Sequence, residues 1–170
     1  MIRIGILGDI GSGKSYVANN FGYPVFNADY EVSKLYQKNR KVYQKLKKLL
    51  PEYIYEFPVN KLQLSKAILA NKSNLKKIIN IVHKEIRNQL RSFLKQNNNK
   101  KFVILDIPLL LENKINTKKD ILVYVQSSKN NILRNLKKRN NFNARLVNKF
   151  KKIQLPLAYK KNNSRFIIKN

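Results

Sequence analysis

With 170 residues and a hydrophobic share of 43%, the chain can enclose one core; with no cysteine and a single histidine, His83, it excludes disulfides, thiolate metal sites and histidine zinc sites. Its 36 basic residues against 9 acidic ones leave a net charge of +27, which admits two explanations, a polyanionic partner or drift in composition. Lysine outnumbers arginine 28 to 8, 24 Asn and 18 Ile accompany it, and the cations run through the whole chain, so drift is favoured and no specific nucleic-acid partner is expected.

The first residues, MIRIGILGD, reach a glycine and an acid at once and lack the long apolar stretch and cleavage site of a signal peptide. No run of eighteen apolar residues follows, so a cytoplasmic location without a membrane partner is expected. Ile2 to Leu7 suits a buried strand, and Gly8 to Gly13 is a glycine-rich turn. A helix is predicted from Lys14 to about Phe21, ended by Gly22, then a second strand over Pro24 to Asn27. From Asp29 to Leu50 the composition is helical without a break, until Pro51 interrupts. A further helical region begins near Asn60. Leu75, Ile78, Ile79, Val82, Ile86, Leu90, Phe93 and Leu94 then recur at spacings of three and four, marking the strongest helix, which ends at the Asn/Lys run 97–100. Phe102 to Leu105 and Ile121 to Val125 are strands, Ser128 caps a helix carrying Ile132, Leu133 and Leu136, residues 137–152 are very basic, and Phe166 to Ile168 is a last strand. Strands alternating with helices predict an α/β fold, a parallel sheet with helices on both faces and ligands at the carboxyl ends of the strands.

One segment carries most of the functional signal. Gly8-Asp9-Ile10-Gly11-Ser12-Gly13-Lys14-Ser15 fits G-x-x-x-x-G-K-[ST] in full, after a strand and before a helix. Glycines let backbone amides curl around phosphate oxygens, Lys14 reaches the β- and γ-phosphates of ATP, and the Ser15 hydroxyl ligates Mg²⁺. The nucleotide-binding set is taken to extend to Tyr16. Asp106, closing an apolar strand, is a second candidate Mg²⁺ ligand; alone it reads equally as the start of the turn into Pro108. Asp29 suits a general base or the N-cap of its helix, and both readings stand. Arg134 and Arg139 can close over a transferring phosphoryl group or simply belong to a solvated basic face. His83 and Arg87, four apart, share a helix face suited to an anionic substrate; without further support they read as a half-buried histidine beside a surface arginine.

Taken together, IGILGDIGSGKSYVAN (4–19), FGYPVFNADY (21–30), VHKEIR (82–87) and VILDIPLLLE (103–112) resemble the dephospho-coenzyme A kinase family. Weaker carriers are RNLKKRN (134–140), Gln154 and FIIKN (166–170), so the similarity spans nearly the whole chain. The resemblance implies a three-layer α/β/α sandwich of the nucleoside-monophosphate-kinase type with a five-stranded parallel sheet. It implies one kinase domain over 1–170, with a helical substrate region near 57–100 and a small lid near 137–152. It implies transfer of the ATP γ-phosphate to the ribose 3′-hydroxyl of dephospho-coenzyme A. Lys14, Asp29 and Arg139 are then catalytic, and Arg134 and Arg139 contact the nucleotide. Asp29, His83, Arg87, Pro108, Leu109 and Glu112 contact the acceptor, and Ser15 and Asp106 the metal. A monomer or weak homo-oligomer is expected.

The chain departs from the family pattern in places. Lys84 stands where Pro is usual, Lys61 where Arg is common, and Ser164-Arg165 replaces Ala-Asp. Family members continue beyond the position of Asn170 through a loop that helps hold adenine, which implies altered nucleotide affinity here.

Three rival readings were weighed. Asn113-Lys114-Ile115-Asn116 superficially resembles a guanine motif, but the last position lacks the carboxylate that pairs with guanine, so a GTPase is rejected. Another small-molecule or nucleotide kinase would share the phosphate machinery. A basic nucleic-acid-binding protein with a vestigial phosphate loop would explain the charge, yet no nucleic-acid-binding motif accompanies it.

Overall fold

The computed structural model describes residues 1–139 and 142–170. Five strands form a single parallel sheet: β1 (Ile2–Gly8), β2 (Val25–Asn27), β3 (Phe102–Asp106), β4 (Ile121–Gln126) and β5 (Phe166–Lys169), in the order β2-β3-β1-β4-β5. Eight helices are described: α1 (Lys14–Asn19), α2 (Ala28–Lys38), α3 (Arg40–Leu49), α4 (Lys61–Ala70), α5 (Lys72–Gln96), α6 (Lys129–Lys137), α7 (Ala144–Lys151) and α8 (Leu157–Asn162). The chain divides into two compact units, one of Met1–Asn27 with Phe93–Asn170 and one of Ala28–Ser92.

In the first unit, β1 is the middle strand, and its run Ile4 to Gly8 is wholly buried. A strand paired on both edges and covered on both faces is apolar throughout, which is why IGIL shows no alternation. Ile4 and Ile6 pack with Val17 and Ala18 of α1 and with Ile104, Val123 and Val125 of the flanking strands. On the opposite face, a Cβ at Gly5 would lie 2.5 Å from Leu110 Cδ2 and 2.9 Å from Leu122 Cδ2, so close packing excludes a side chain there. The α/β fold and the five-stranded parallel sheet agree with the sequence expectation.

The second unit is helical. Its buried apolar residues include Leu35, Val42, Leu46, Ile54, Ala67, Ile78, Val82 and Ile86. Asn74 Nδ2 donates to Ala67 O at 2.9 Å, joining α5 to α4, and Val59 N donates to Tyr36 O at 2.9 Å.

Three local features differ from the sequence expectation. The helical stretch after Asp29 is two helices, because Asn39 is extended (φ −99°, ψ 95°) and its side chain accepts from Val42 N, capping α3. Helix α2 begins at Ala28, so Asp29 sits in the first turn and is not the N-cap; its charge there still complements the helix dipole. The basic stretch 137–152 contains α7, capped by Asn143, whose side chain accepts from Leu146 N. That helix buries none of its residues, and its apolar Leu146, Val147 and Phe150 stand among cations and asparagines in a stretch read for its charge. Helix α8 is hidden as well, since its buried residue is the lysine Lys160.

Candidate active site

Strand β1 ends at Gly8, and after five intervening residues α1 begins at Lys14. Between them Gly11 (φ 87°) and Gly13 (φ 90°) adopt the left-handed region that side chains disfavour. Ser12 N donates to Asp9 O at 3.1 Å, closing the turn. The Asp9 carboxylate accepts from Ile10 N at 2.7 Å. Lys14 Nζ donates to Asp9 O at 2.8 Å and to Gly8 O at 3.4 Å, so its ammonium lies over the loop. Ser12 is buried, while Ser15 and Tyr16 are exposed. Gly13 offers no side-chain cap to α1.

Strand β3 lies beside β1, so Asp106 ends next to this loop. The β2–β3 register sets Asn27 opposite Asp106, and Asn27 Nδ2 donates to Asp106 Oδ2 at 2.8 Å. Burial pushes the Asp106 carboxyl above its usual 3.8, while a hydrogen bond from the Ser15 hydroxyl and the charge of Lys14 pull it back. The two predicted metal ligands therefore lie near each other at this end of the sheet. Among the described residues no group of three or more His, Cys, Asp or Glu is placed to hold a metal. A hydroxyl with one carboxylate instead suits Mg²⁺, a hard cation that keeps water and takes phosphate oxygens as further ligands.

The other predicted residues fall as follows. Pro108 and Leu109 are partly exposed in the turn after β3. Arg134 and Arg139 are exposed, Arg134 on α6 and Arg139 just after it, and Arg134 Nη2 donates to Asn131 Oδ1 at 3.1 Å. The predicted lid segment 137–152 includes residues 140 and 141, which lie outside the described residues. Its far end contributes Lys151, whose Nζ stands 3.7 Å from Asp9 Oδ2. Asp29, His83 and Arg87 belong to the helical unit, Asp29 on α2 and the other two on α5.

His83 is half-buried, and burial together with the like charge of Arg87 holds its imidazole below the usual 6.5. The unfolded chain takes up this proton near pH 6.5 while the folded chain resists it. Proton uptake therefore favours unfolding: the contribution to stability is whole above pH 6.5 and shrinks as pH falls below that value. Urea midpoints measured from pH 7.5 to 5.5 should decline in the parent and decline less in His83→Gln.

Comparison with known proteins shows the family of the chain. The family model for dephospho-CoA kinase matches residues 2–170. The chain belongs to the dephospho-CoA kinase family. It is accordingly a kinase. The dephospho-CoA kinase of Wolbachia sp. subsp. Brugia malayi is 34% identical over 170 aligned residues, covering 97% of this chain and 87% of that protein. The one from Rickettsia typhi is 33% identical, covering 91% and 81%. Among solved structures, TT1252 from Thermus thermophilus superposes with a TM-score of 0.79 at 28% identity, covering 99% of this chain and 88% of that one. Dephospho-CoA kinase from Campylobacter jejuni shares the fold, with a TM-score of 0.62 at 22% identity over 99% of this chain and 87% of that one.

Within this member of the dephospho-CoA kinase family, Glu112 has a structural partner that its sequence segment does not announce. Its Oε1 lies 2.7 Å from Nζ of Lys160, which is only 1% exposed, and also accepts from Leu155 N at 2.9 Å. Its Oε2 is buried and makes no hydrogen bond. Glu112→Ala should cost about 3 kcal/mol or more of folding stability, because it strands a buried ammonium. Chemical denaturation of Glu112→Ala against Glu112→Ala/Lys160→Met checks this, with the double variant recovering most of the loss.

Other contacts of the site escape sequence reading. Asn27, Asn135, Lys151 and Asn170 all touch the loop or Asp106. Asn27 alone had a local signal, since it ends a predicted strand just before Asp29.

Proposed function

We propose that the chain transfers the γ-phosphate of ATP to the ribose 3′-hydroxyl of dephospho-CoA, giving CoA and ADP, the last step of CoA synthesis. The observation that carries this reading is the glycine loop at the end of the central strand, with Asp106 closing the strand beside it, in a chain of the dephospho-CoA kinase family. The amides of Gly11 and of Gly13 to Ser15 bind the phosphates, and Lys14 moves its ammonium from the carbonyls of Gly8 and Asp9 onto the β- and γ-oxygens. Mg²⁺, held by Ser15 and Asp106, would supply charge neutralisation for the β- and γ-phosphates. Asn27 steadies the Asp106 carboxylate through its 2.8 Å hydrogen bond. Asp29 takes the proton of the attacking hydroxyl.

His83 and Arg87 bind anionic groups of the acceptor from one face of α5, Arg87 by charge and His83 as a neutral hydrogen-bonding ring. Pro108, Leu109 and Glu112 contribute further acceptor contacts, with residues near 57–100 as the acceptor-binding region. The segment 137–152 acts as the lid, and Arg134 and Arg139 spread the charge of the transferring group.

A coupled assay with ATP, Mg²⁺ and dephospho-CoA tests the assignment. CoA formation supports it. Phosphorylation of a nucleoside monophosphate with dephospho-CoA left untouched would replace it with a different kinase activity.

A further inference from the structure

Two asparagines hold the glycine loop by its backbone. Asn135 on α6 donates from Nδ2 to Gly11 O at 3.0 Å, and Asn170, just past β5, donates from Nδ2 to Ser12 O at 3.0 Å. Each is anchored in turn. Helix α6 is capped by Ser128, whose hydroxyl accepts from Asn131 N at 3.2 Å, and Asn170 N donates to Gln126 O at 2.8 Å. Both approaches are close. A Cβ at Gly11 would lie 2.9 Å from Leu136 Cγ and 3.1 Å from Ile132 O, and a Cβ at Gly13 would collide with the Asn170 amide.

We propose that Asn135 and Asn170 are positioning residues that hold the loop amides in their anion-binding orientation without touching the nucleotide. A trans peptide unit is planar, so its C=O and N–H point in opposite directions. Turning the Gly11 carbonyl toward Asn135 sends the Ser12 N–H to the other side, where it donates to Asp9 O at 3.1 Å and closes the turn. Turning the Ser12 carbonyl toward Asn170 sends the Gly13 N–H away from Asn170. Two successive peptide planes are thereby fixed, each from a different element of the sheet unit. The need arises from the glycines themselves: Gly11 and Gly13 can adopt either sign of φ, so glycine imposes no preference on these planes, and the loop's own Ser12 N to Asp9 O bond restrains only the first of them. A loop held open before the anion arrives spends less binding energy on ordering.

This inference rests on the nucleotide-binding part of the proposed function and not on the identity of the acceptor. Three quantities test it in Asn135→Ala, Asn170→Ala and the double variant: ATP affinity by calorimetric titration without acceptor, KM for dephospho-CoA at saturating ATP, and the thermal midpoint. Each single variant should weaken ATP binding roughly tenfold and the double variant more, with the acceptor KM and thermal midpoint near those of the parent. Should an alanine variant fail to fold, Asn170→Asp, equal in size but with the donor replaced by an acceptor, carries the same expectation. ATP affinity within twofold of the parent in the double variant, or parallel losses in ATP affinity, acceptor KM and thermal midpoint, would overturn the proposal. A parent that binds ATP but leaves dephospho-CoA unmodified removes only the acceptor assignment; a parent that binds no ATP removes both.

Discussion

Replacing Lys14 by Ala should lower kcat/KM by on the order of a thousandfold, the scale expected when one preorganised donor to a charged transition state is lost. The charge reacting at the γ-phosphate spreads over its peripheral oxygens, and catalysis of such a transfer consists almost wholly of positioning and electrostatic stabilisation. Lys14 is the ammonium tethered at this loop by both chain and hydrogen bond, with its Nζ 2.8 Å from Asp9 O. Its removal leaves the carbonyls of Gly8 and Asp9 without that donor, but the turn keeps its Ser12 N to Asp9 O bond and its two asparagine tethers. The thermal midpoint should therefore stay close to the parent's while turnover collapses. A Lys14→Ala enzyme with parental kcat/KM would remove the phosphate-loop reading altogether.

Asp29→Asn should lower kcat by roughly 10²- to 10⁴-fold, the usual range for loss of a general base, while ATP affinity is retained. The substitution preserves the size of the side chain and abolishes its basicity. Asp29 lies in the first turn of α2, where the substitution removes a helix-dipole contribution of about 0.3–1 kcal/mol. Glu31, the other acid of that turn, supplies the control. It is paired with Lys34 at 2.8 Å, and Glu31→Gln should leave kcat near the parental value. Equal kcat for Asp29→Asn and the parent would reassign Asp29 to the electrostatics of the helix terminus.

Much of the site was legible because its signals are local. The glycine pattern, the apolar run before it and the acid closing Phe102 to Leu105 are each contained in a few consecutive residues, and the fold presents them as read. Ser128 as a cap was legible for the same reason, its hydroxyl accepting from Asn131 N three residues on. The break at Asn39 was also local, but a capping asparagine inside a lysine-rich helical composition gives no contrast against its neighbours. Helix α8 escaped because the usual marker of a helix is its buried apolar stripe, and it buries a lysine. Helix α7 carries Leu146, Val147 and Phe150 at helical spacing, but too few and too deep in a basic stretch to stand out.

The sequence by itself determined the phosphate loop, the strand that presents it, the acid on the neighbouring strand and the family, since all of these are short patterns in the chain. Tertiary structure alone decided which side chains serve that loop. Asn135 meets Gly11 across 124 residues and Asn170 meets Ser12 across 158, and Lys160 finds Glu112 only once α8 has packed. The physical reason is the strand order β2-β3-β1-β4-β5, which sets β3 and β4 on either side of β1 and brings distant segments to one end of the sheet. Polar partners that meet in this way are selected by geometry, and residue type or spacing along the chain carries no trace of the meeting.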